Sequence, residues 1–357
     1  MKPRLLFAMM MALALTLVGA GSAVAAPAKC TSASKTKACK PAPTSQVAKK
    51  QAGKKQATKK KAAKSNKIAG VKRTLAVKKQ AARARYMDDD PITLRLDEHG
   101  MPRLNSSAFY VINQKTGEVL LQKNARREIP IASITKLMTA IVVLESRSNL
   151  GEMLTITDDD VDYLKGTNSR LGVGTRLTRE EMLQLALMSS ENRAASALAR
   201  HYPGGRTAFV EAMNAKARLI GMNETHFYDS TGLTPRNVSS PRDLSRLVVA
   251  ASGYSQIREF STTTERYFYI NGHLRRFGNT NGLVKSPDWT ISVSKTGYIS
   301  EAGRCLVMQA WMQDQPLVIV LMDANGRNKR VVDAQRVRLW LEERPERLAT
   351  TRREPQG

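Results

Sequence analysis

Three short motifs follow one another along this chain: Ser133-Ile-Thr-Lys136, Ser190-Glu-Asn192 and Lys295-Thr-Gly297. Together they supply a serine hydroxyl with an amine three residues on, a second hydroxyl beside an amide, and a cation followed by a hydroxyl and a glycine. That is equipment for acyl transfer through a serine ester. A serine hydroxyl is a poor nucleophile at neutral pH and needs a base. Lys136 can be that base only if burial or a nearby cation lowers its pKa, and Lys295 is such a cation if it lies across a cleft. At the start of a helix, the three-residue spacing puts Ser133 and Lys136 on one face, and the helix N-terminus offers N–H groups to developing negative charge.

The remaining positions take roles in the same scheme. Ser190 relays a proton between Lys136 and the leaving amine. Asn192 hydrogen-bonds the substrate backbone and holds Lys136. Lys295 supplies positive potential for a substrate carboxylate, and Thr296 binds that carboxylate or the peptide. Gly297 leaves the strand edge open to substrate backbone. The backbone N–H groups of Ser133 and Tyr298 form an oxyanion hole.

Decoys are separable. Ser32/Lys35 and Ser34/Lys37 fall in a low-complexity segment, and Ser292/Lys295 lies on a predicted strand, where such positions face opposite sides. A second Lys-Thr-Gly, at 115–117, sits at a hairpin turn. Four histidines, no Gly-x-Ser-x-Gly and no phosphate loop leave other hydrolase chemistries without support. No Cys/His spacing suits a metal, and the acidic run Asp158, Asp159, Asp160 reads as a solvated helix start. No metal and no cofactor are expected.

The elements that must position these groups divide the chain. Residues 1–25 have a basic start, an apolar run and small residues before the cut, as a secretory signal does; the run is short for a retained membrane anchor. The net charge of +26 is concentrated: residues 27–87 hold 19 Lys or Arg and no acid, and the folded remainder from 88 is near +5. Residues 26–87 cannot bury enough apolar surface to order themselves. Such a tail fits an anionic envelope surface or acts as a spacer; an exported chain is not expected to meet nucleic acid.

Residues 88–345 read as one globular domain, with 346–357 a charged tail. A hairpin spans Ser107–Val111 and Glu118–Lys123. Helices are predicted over 133–145, from a capping box at Thr178, and over 192–202, 207–220, 241–252 and 331–341. Asn271-Gly272 signals a second hairpin, and strands cover 290–296, 305–312 and 316–322. Strands at both ends with helices between predict an α+β fold: one antiparallel sheet flanked by helices, with an inserted all-helical lobe. Cys305 reads as a buried small residue, while Cys30 and Cys39 are left open.

The three motifs, the hairpin phrase from Lys115 to Asn124, His226-Phe-Tyr-Asp-Ser-Thr-Gly-Leu233 and the run from Lys295 to Gly303 resemble low-molecular-mass penicillin-binding proteins. These are serine D-alanyl-D-alanine endopeptidases and carboxypeptidases. The resemblance implies the penicillin-recognising, β-lactamase-like fold, peptidoglycan stem peptides as substrate, no cofactor, and β-lactams as covalent inhibitors. By motif, Ser133 is the nucleophile, Lys136 the base, Ser190 and Asn192 assist, and Lys295 binds the terminal carboxylate. It favours the endopeptidase branch, because carboxypeptidase relatives usually carry a C-terminal β-domain and an amphipathic helix. It also implies a role in cell-wall biogenesis and shape, in the periplasm. The alternatives are a carboxypeptidase trimming terminal D-alanine, a non-catalytic wall-binding protein, and a β-lactamase. The β-lactamase reading lacks a Glu-x-x-Leu-Asn segment after Asn192.

Overall fold

The computed structural model describes residues 92–348. The expected signal and basic segments, and the tail beyond residue 348, lie outside the described residues. In chain order the elements are β1 (Ser106–Asn113), β2 (Val119–Lys123), β3 (Ile129–Pro130), α1 (Lys136–Glu145), β4 (Met153–Thr155), β5 (Arg176–Thr178), α2 (Arg179–Met188), α3 (Asn192–Arg200) and α4 (Gly205–Leu219). Then follow β6 (Val238–Ser239), α5 (Pro241–Ser252), α6 (Ser255–Thr262), β7 (Glu265–Ile270), β8 (His273–Gly278), β9 (Thr290–Ile299), β10 (Gly303–Met312), β11 (Gln315–Ala324) and α7 (Lys329–Glu342).

The sheet joins the two ends of the described chain. Its strand order is β2-β1-β11-β10-β9, and every pairing is antiparallel. The late strands are apolar nearly throughout because both faces are covered. Leu317, Ile319 and Leu321 pack with Trp340 of α7 on one face, while Val318, Val320 and Met322 join the helical core on the other. Asp333 of α7 fastens that layer: its buried carboxylate accepts from the N–H and side chain of both Asn105 and Ser106 at 2.7–2.9 Å.

The α+β architecture and the element types follow the reading above. The capping box is present: Thr178 accepts from the Glu181 N–H while Glu181 reaches back to the Thr178 N–H. Ser240 caps α5 as expected. Asn271 and Gly272 take positive φ of 51° and 78°, the requirement of the tight turn between β7 and β8.

Three local expectations differ. The stretch at Ser133 does not begin as an α-helix; a 3-10 turn covers Ala132–Thr135 and the α-helix starts at Lys136. The acidic run opens a 3-10 turn with Asp158 and Asp159 exposed, as read, but Asp160 is buried and paired with Arg200 and Arg206 at 2.8 and 3.1 Å, because basic residues of the 192–206 segment converge on it. Leu348, placed in the charged tail, is 3% exposed and packs with Trp340 after a 3-10 turn over Pro345–Arg347. Helix α6 was not predicted at all; its buried face is only Ile257, Phe260 and Ser261, too little apolar pattern to read. Among the described residues no helix is long and apolar enough to cross a membrane.

Candidate active site

Ser133 sits in the 3-10 turn that leads into α1, a helix buried along its first eight residues. That turn is pressed against β9 and against the loop at Gly232. A Cβ at Gly232 would stand 1.9 Å from the Ala132 carbonyl oxygen, and one at Gly297 would stand 2.8 Å from the Ile131 oxygen. The absence of a side chain at Gly297 therefore lets the nucleophile's turn dock against β9. Ala132 itself has a left-handed φ of 48°, and Ser190 one of 60°. Both are uncommon for non-glycine residues, and such strain concentrates at functional turns.

The centre of the site is the Lys136 amine. It is fully buried and contacts three oxygens: Ser133 Oγ at 2.8 Å, Asn192 Oδ1 at 2.8 Å and the Thr231 carbonyl at 2.7 Å. Burial lowers its pKa to about 7, although the Asp229 and Glu191 carboxylates pull it upward. Of the two causes open to it, burial is the one that depresses Lys136. The three contacts suit a neutral amine. Two partners, an amide oxygen and a carbonyl, can only accept, and they use its two N–H bonds. In the ammonium form Lys136 donates to Ser133 Oγ as well; in the neutral form its lone pair faces that hydroxyl, which then donates.

Lys295 is the second buried amine. It donates to Ser190 Oγ at 2.9 Å and to the Thr296 carbonyl at 3.0 Å. Its pKa lies well below the usual lysine value, through burial first, then the charges of Lys136 and Arg330. Ser190, read as the relay between Lys136 and the leaving amine, is hydrogen-bonded to Lys295. Asn192 holds Lys136 as expected, and its amide N–H₂ donates to Thr167 at 3.0 Å. Thr296 is nearly buried and its hydroxyl donates to that of Thr280 at 2.6 Å. Tyr298 opposes Arg304 in the ladder and its ring lies under that guanidinium at 4.3 Å. Because β9 is an edge strand, an extended peptide can be added beside residues 295–299. Ser292 bonds Trp311 while Lys295 is buried, so that decoy pair is split across the strand.

All eight residues singled out from sequence lie on three segments that meet here: the 132–135 turn with α1, the 189–192 turn and β9. Two contributors were not read from sequence. The first is the 229–232 loop. Asp229 binds the N–H groups of Thr231, Gly232 and Thr234, and this aims the Thr231 carbonyl at Lys136. The signal was present in the phrase from His226 to Leu233, which was used only as a family marker. The second is Arg330 at the start of α7. Its Nε and Nη1 atoms are buried without a hydrogen-bond partner among the described residues, and its charge acts on Lys295. A lone arginine 35 positions beyond Lys295 carries no sequence signal. Among the described residues no cluster could hold a metal ion.

The profile of the D-alanyl-D-alanine carboxypeptidase family matches residues 97–326. A D-alanyl-D-alanine endopeptidase of Pseudomonas aeruginosa is 46% identical over 248 residues, which are 68% of this chain and 80% of that protein. The crystal structure of the Streptomyces K15 DD-transpeptidase superposes with a TM-score of 0.62 at 30% identity, over 67% of this chain and 97% of that one. Penicillin-binding protein D2 of Listeria monocytogenes, in its ampicillin-bound form, superposes with a TM-score of 0.58 at 27% identity, over 67% of this chain and 98% of that one.

Proposed function

We propose, from the premise that this chain belongs to the D-alanyl-D-alanine carboxypeptidase family, that it is a serine D,D-peptidase cutting D-alanyl cross-links of peptidoglycan through an ester on Ser133. The observation that carries this reading is the three-way contact of the buried Lys136 amine. In the first half-reaction Ser133 Oγ attacks the D-alanyl carbonyl carbon and its proton passes to Lys136. The N–H groups of Ser133 and Tyr298 take up the charge on the carbonyl oxygen. The C–N bond then breaks. Ser190, bonded to Lys295, gives its hydroxyl proton to the departing amine and recovers the one that Lys136 took from Ser133, which leaves the acyl-serine ester and a neutral Lys136. In the second half-reaction a water molecule attacks the ester carbon while Lys136 takes its proton; the C–O bond to Ser133 then breaks and Lys136 returns that proton to Ser133 Oγ.

Lys295, Thr296 and Arg330 are assigned to the carboxylate beyond the scissile bond. The two buried, unpartnered nitrogens of Arg330 support its inclusion, since a buried guanidinium without an acceptor is costly until an anion arrives. β-Lactams, which carry a strained amide and a carboxylate, acylate Ser133 by the same route. The endopeptidase specificity rests on the similarity to the Pseudomonas aeruginosa protein. Export through residues 1–25, with the basic segment 26–87 drawn to anionic envelope polymers, belongs to the same proposal.

Two assays test it. Fluorescent penicillin labels the wild-type protein, and Ser133→Ala abolishes the label. Purified cross-linked muropeptide dimers become monomers; conversion of pentapeptides to tetrapeptides with dimers untouched would replace endopeptidase by carboxypeptidase activity. Absence of any covalent label would remove the serine peptidase reading.

A further inference from the structure

The hairpin of β7 and β8 has two unlike faces. One is anchored: Phe268 and Phe277 are buried and meet edge-to-face at 5.5 Å between centroids, above α2. The other presents large side chains to solvent. Tyr267 is 53% exposed, Tyr269 73% and Leu274 55%. Tyr267 opposes Arg276 and Tyr269 opposes Leu274, so these four side chains share one face. Nothing in the folding of the domain requires two tyrosines there; a polar pair would fit the pleat as well.

This face is joined to the catalytic turn. Ser189 Oγ donates to the Gly278 carbonyl at 3.0 Å, and the Thr280 N–H donates to the Met188 carbonyl at 3.1 Å. Arg170 donates to the Arg276 carbonyl at 2.7 Å and lies 3.7 Å from Glu191. The hairpin therefore starts at the residue next to Ser190. At about 3.3 Å per residue, Tyr267 and Tyr269 stand roughly 7 and 13 Å along the ribbon from that junction.

We propose that this face is a platform for the glycan strand that carries the stem peptide bound in the cleft. The inference rests on the peptidase reading above. Sugar rings present an apolar C–H face and a polar rim, which suits exposed tyrosine rings with hydroxyls and an arginine between them. The occupant is set by continuity: a peptide laid along β9 is tethered to its sugar chain, and the open end of the hairpin lies against Ser189, next to the cleft residue Ser190.

The test uses full-length Ser133→Ala protein and labelled glycan strands stripped of their peptides. Binding is followed by anisotropy in about 1 M salt, where the Debye length is about 3 Å and attraction by the basic segment is screened. Removing both rings in Tyr267→Ala/Tyr269→Ala should weaken glycan binding about tenfold. Tyr267→Phe/Tyr269→Phe should retain most of it. In the Ser133 background, the alanine pair should leave penicillin acylation and cleavage of soluble peptide dimers unchanged while slowing digestion of intact sacculi. Unchanged glycan affinity, no glycan binding by the parent protein, or a change of oligomeric state caused by the substitutions would overturn the platform. Failure of wild-type protein to label or to cut dimers would instead overturn the peptidase reading, and the anisotropy result would still decide the platform.

Discussion

Replacing Asn192 by aspartate changes one group in contact with Lys136 and should move the pH dependence of acylation in a calculable way. The amide oxygen lies 2.8 Å from the amine, so the variant puts a carboxylate at that distance. A negative charge there favours the ammonium form and raises the lysine pKa by about 1–3 units. Starting from about 7, half the molecules hold a neutral amine at pH 7. After the rise, roughly a tenth to a thousandth do, so acylation at pH 7 should slow by about 5- to 500-fold. The sign is fixed: the base works only when deprotonated, so the wild-type rate rises through about pH 7 and then levels. In Asn192→Asp the rise should move to about pH 8–10, with much of the rate recovered at the top. The assay is stopped-flow acylation by a chromogenic β-lactam at saturation, which separates the chemical step from weakened binding. A loss that is equal at every pH, or an inflection that stays in place, would refute Lys136 as the base.

Three further outcomes follow from single contacts. Gly232→Ala forces a Cβ onto the Ala132 carbonyl at a backbone φ of +81°; a displacement of Ser133 by about 1 Å should slow acylation by about 100-fold, while circular dichroism shows the fold retained. Asp333→Ala removes an acceptor of four buried hydrogen bonds between α7 and the start of β1. It should cost about 3–5 kcal/mol and lower Tm by on the order of 10 °C in calorimetry. Asp160→Asn tests the sign of a buried pair: burial alone raises the Asp160 pKa, but bonds from Arg200, the Thr157 N–H and Ser196 leave it lowered. Its stabilisation is present above the unfolded carboxylate value and lost as pH falls through the lower folded one. Unfolding free energies of variant and wild type from urea titration should therefore differ at pH 7 by about 2–3 kcal/mol and converge only as pH falls below the lowered folded value, which lies under 3.8.

What the sequence disclosed depended on whether the cause was local. Helix α5 was legible from Ser240 to Gly253 because caps and apolar spacing lie within the segment itself. The hairpin at Asn271 was legible because two adjacent residues meet the turn's need for positive φ. The eight site residues were found because each motif's order and spacing carry its chemistry. Partnership across the fold was not legible. That Ser190 bonds Lys295, that Thr231 offers a carbonyl to Lys136, and that Asp160 is buried among arginines depend on which distant segments meet. Gly297 shows the limit most plainly. Its lack of a side chain was evident, but the reason lies in the Ile131 carbonyl, which approaches from a turn more than 160 residues earlier.

Two amines and a guanidinium crowded into one buried site pose a question of charge that the substrate can answer. Lys136 and Lys295 each have pKa values lowered first by burial, and Lys295 also feels Lys136 and Arg330. A carboxylate arriving beside Lys295 and Arg330 adds the missing negative charge, and an opposite charge within about 4–6 Å raises the pKa of a neighbouring amine. That carboxylate therefore favours the charged form of Lys295. Its positive charge in turn disfavours a second one on Lys136, so the base is kept neutral at the moment the scissile carbonyl is in place. Recognition and activation are thereby one event. Substrates whose terminal carboxylate is replaced by a primary amide should lose kcat as well as affinity, since the charge that arms Lys136 is gone. A purely anchoring role would raise KM and leave kcat untouched. Steady-state kinetics on matched acid and amide peptides would separate the two, and an unchanged kcat would show that Lys295 only holds the substrate.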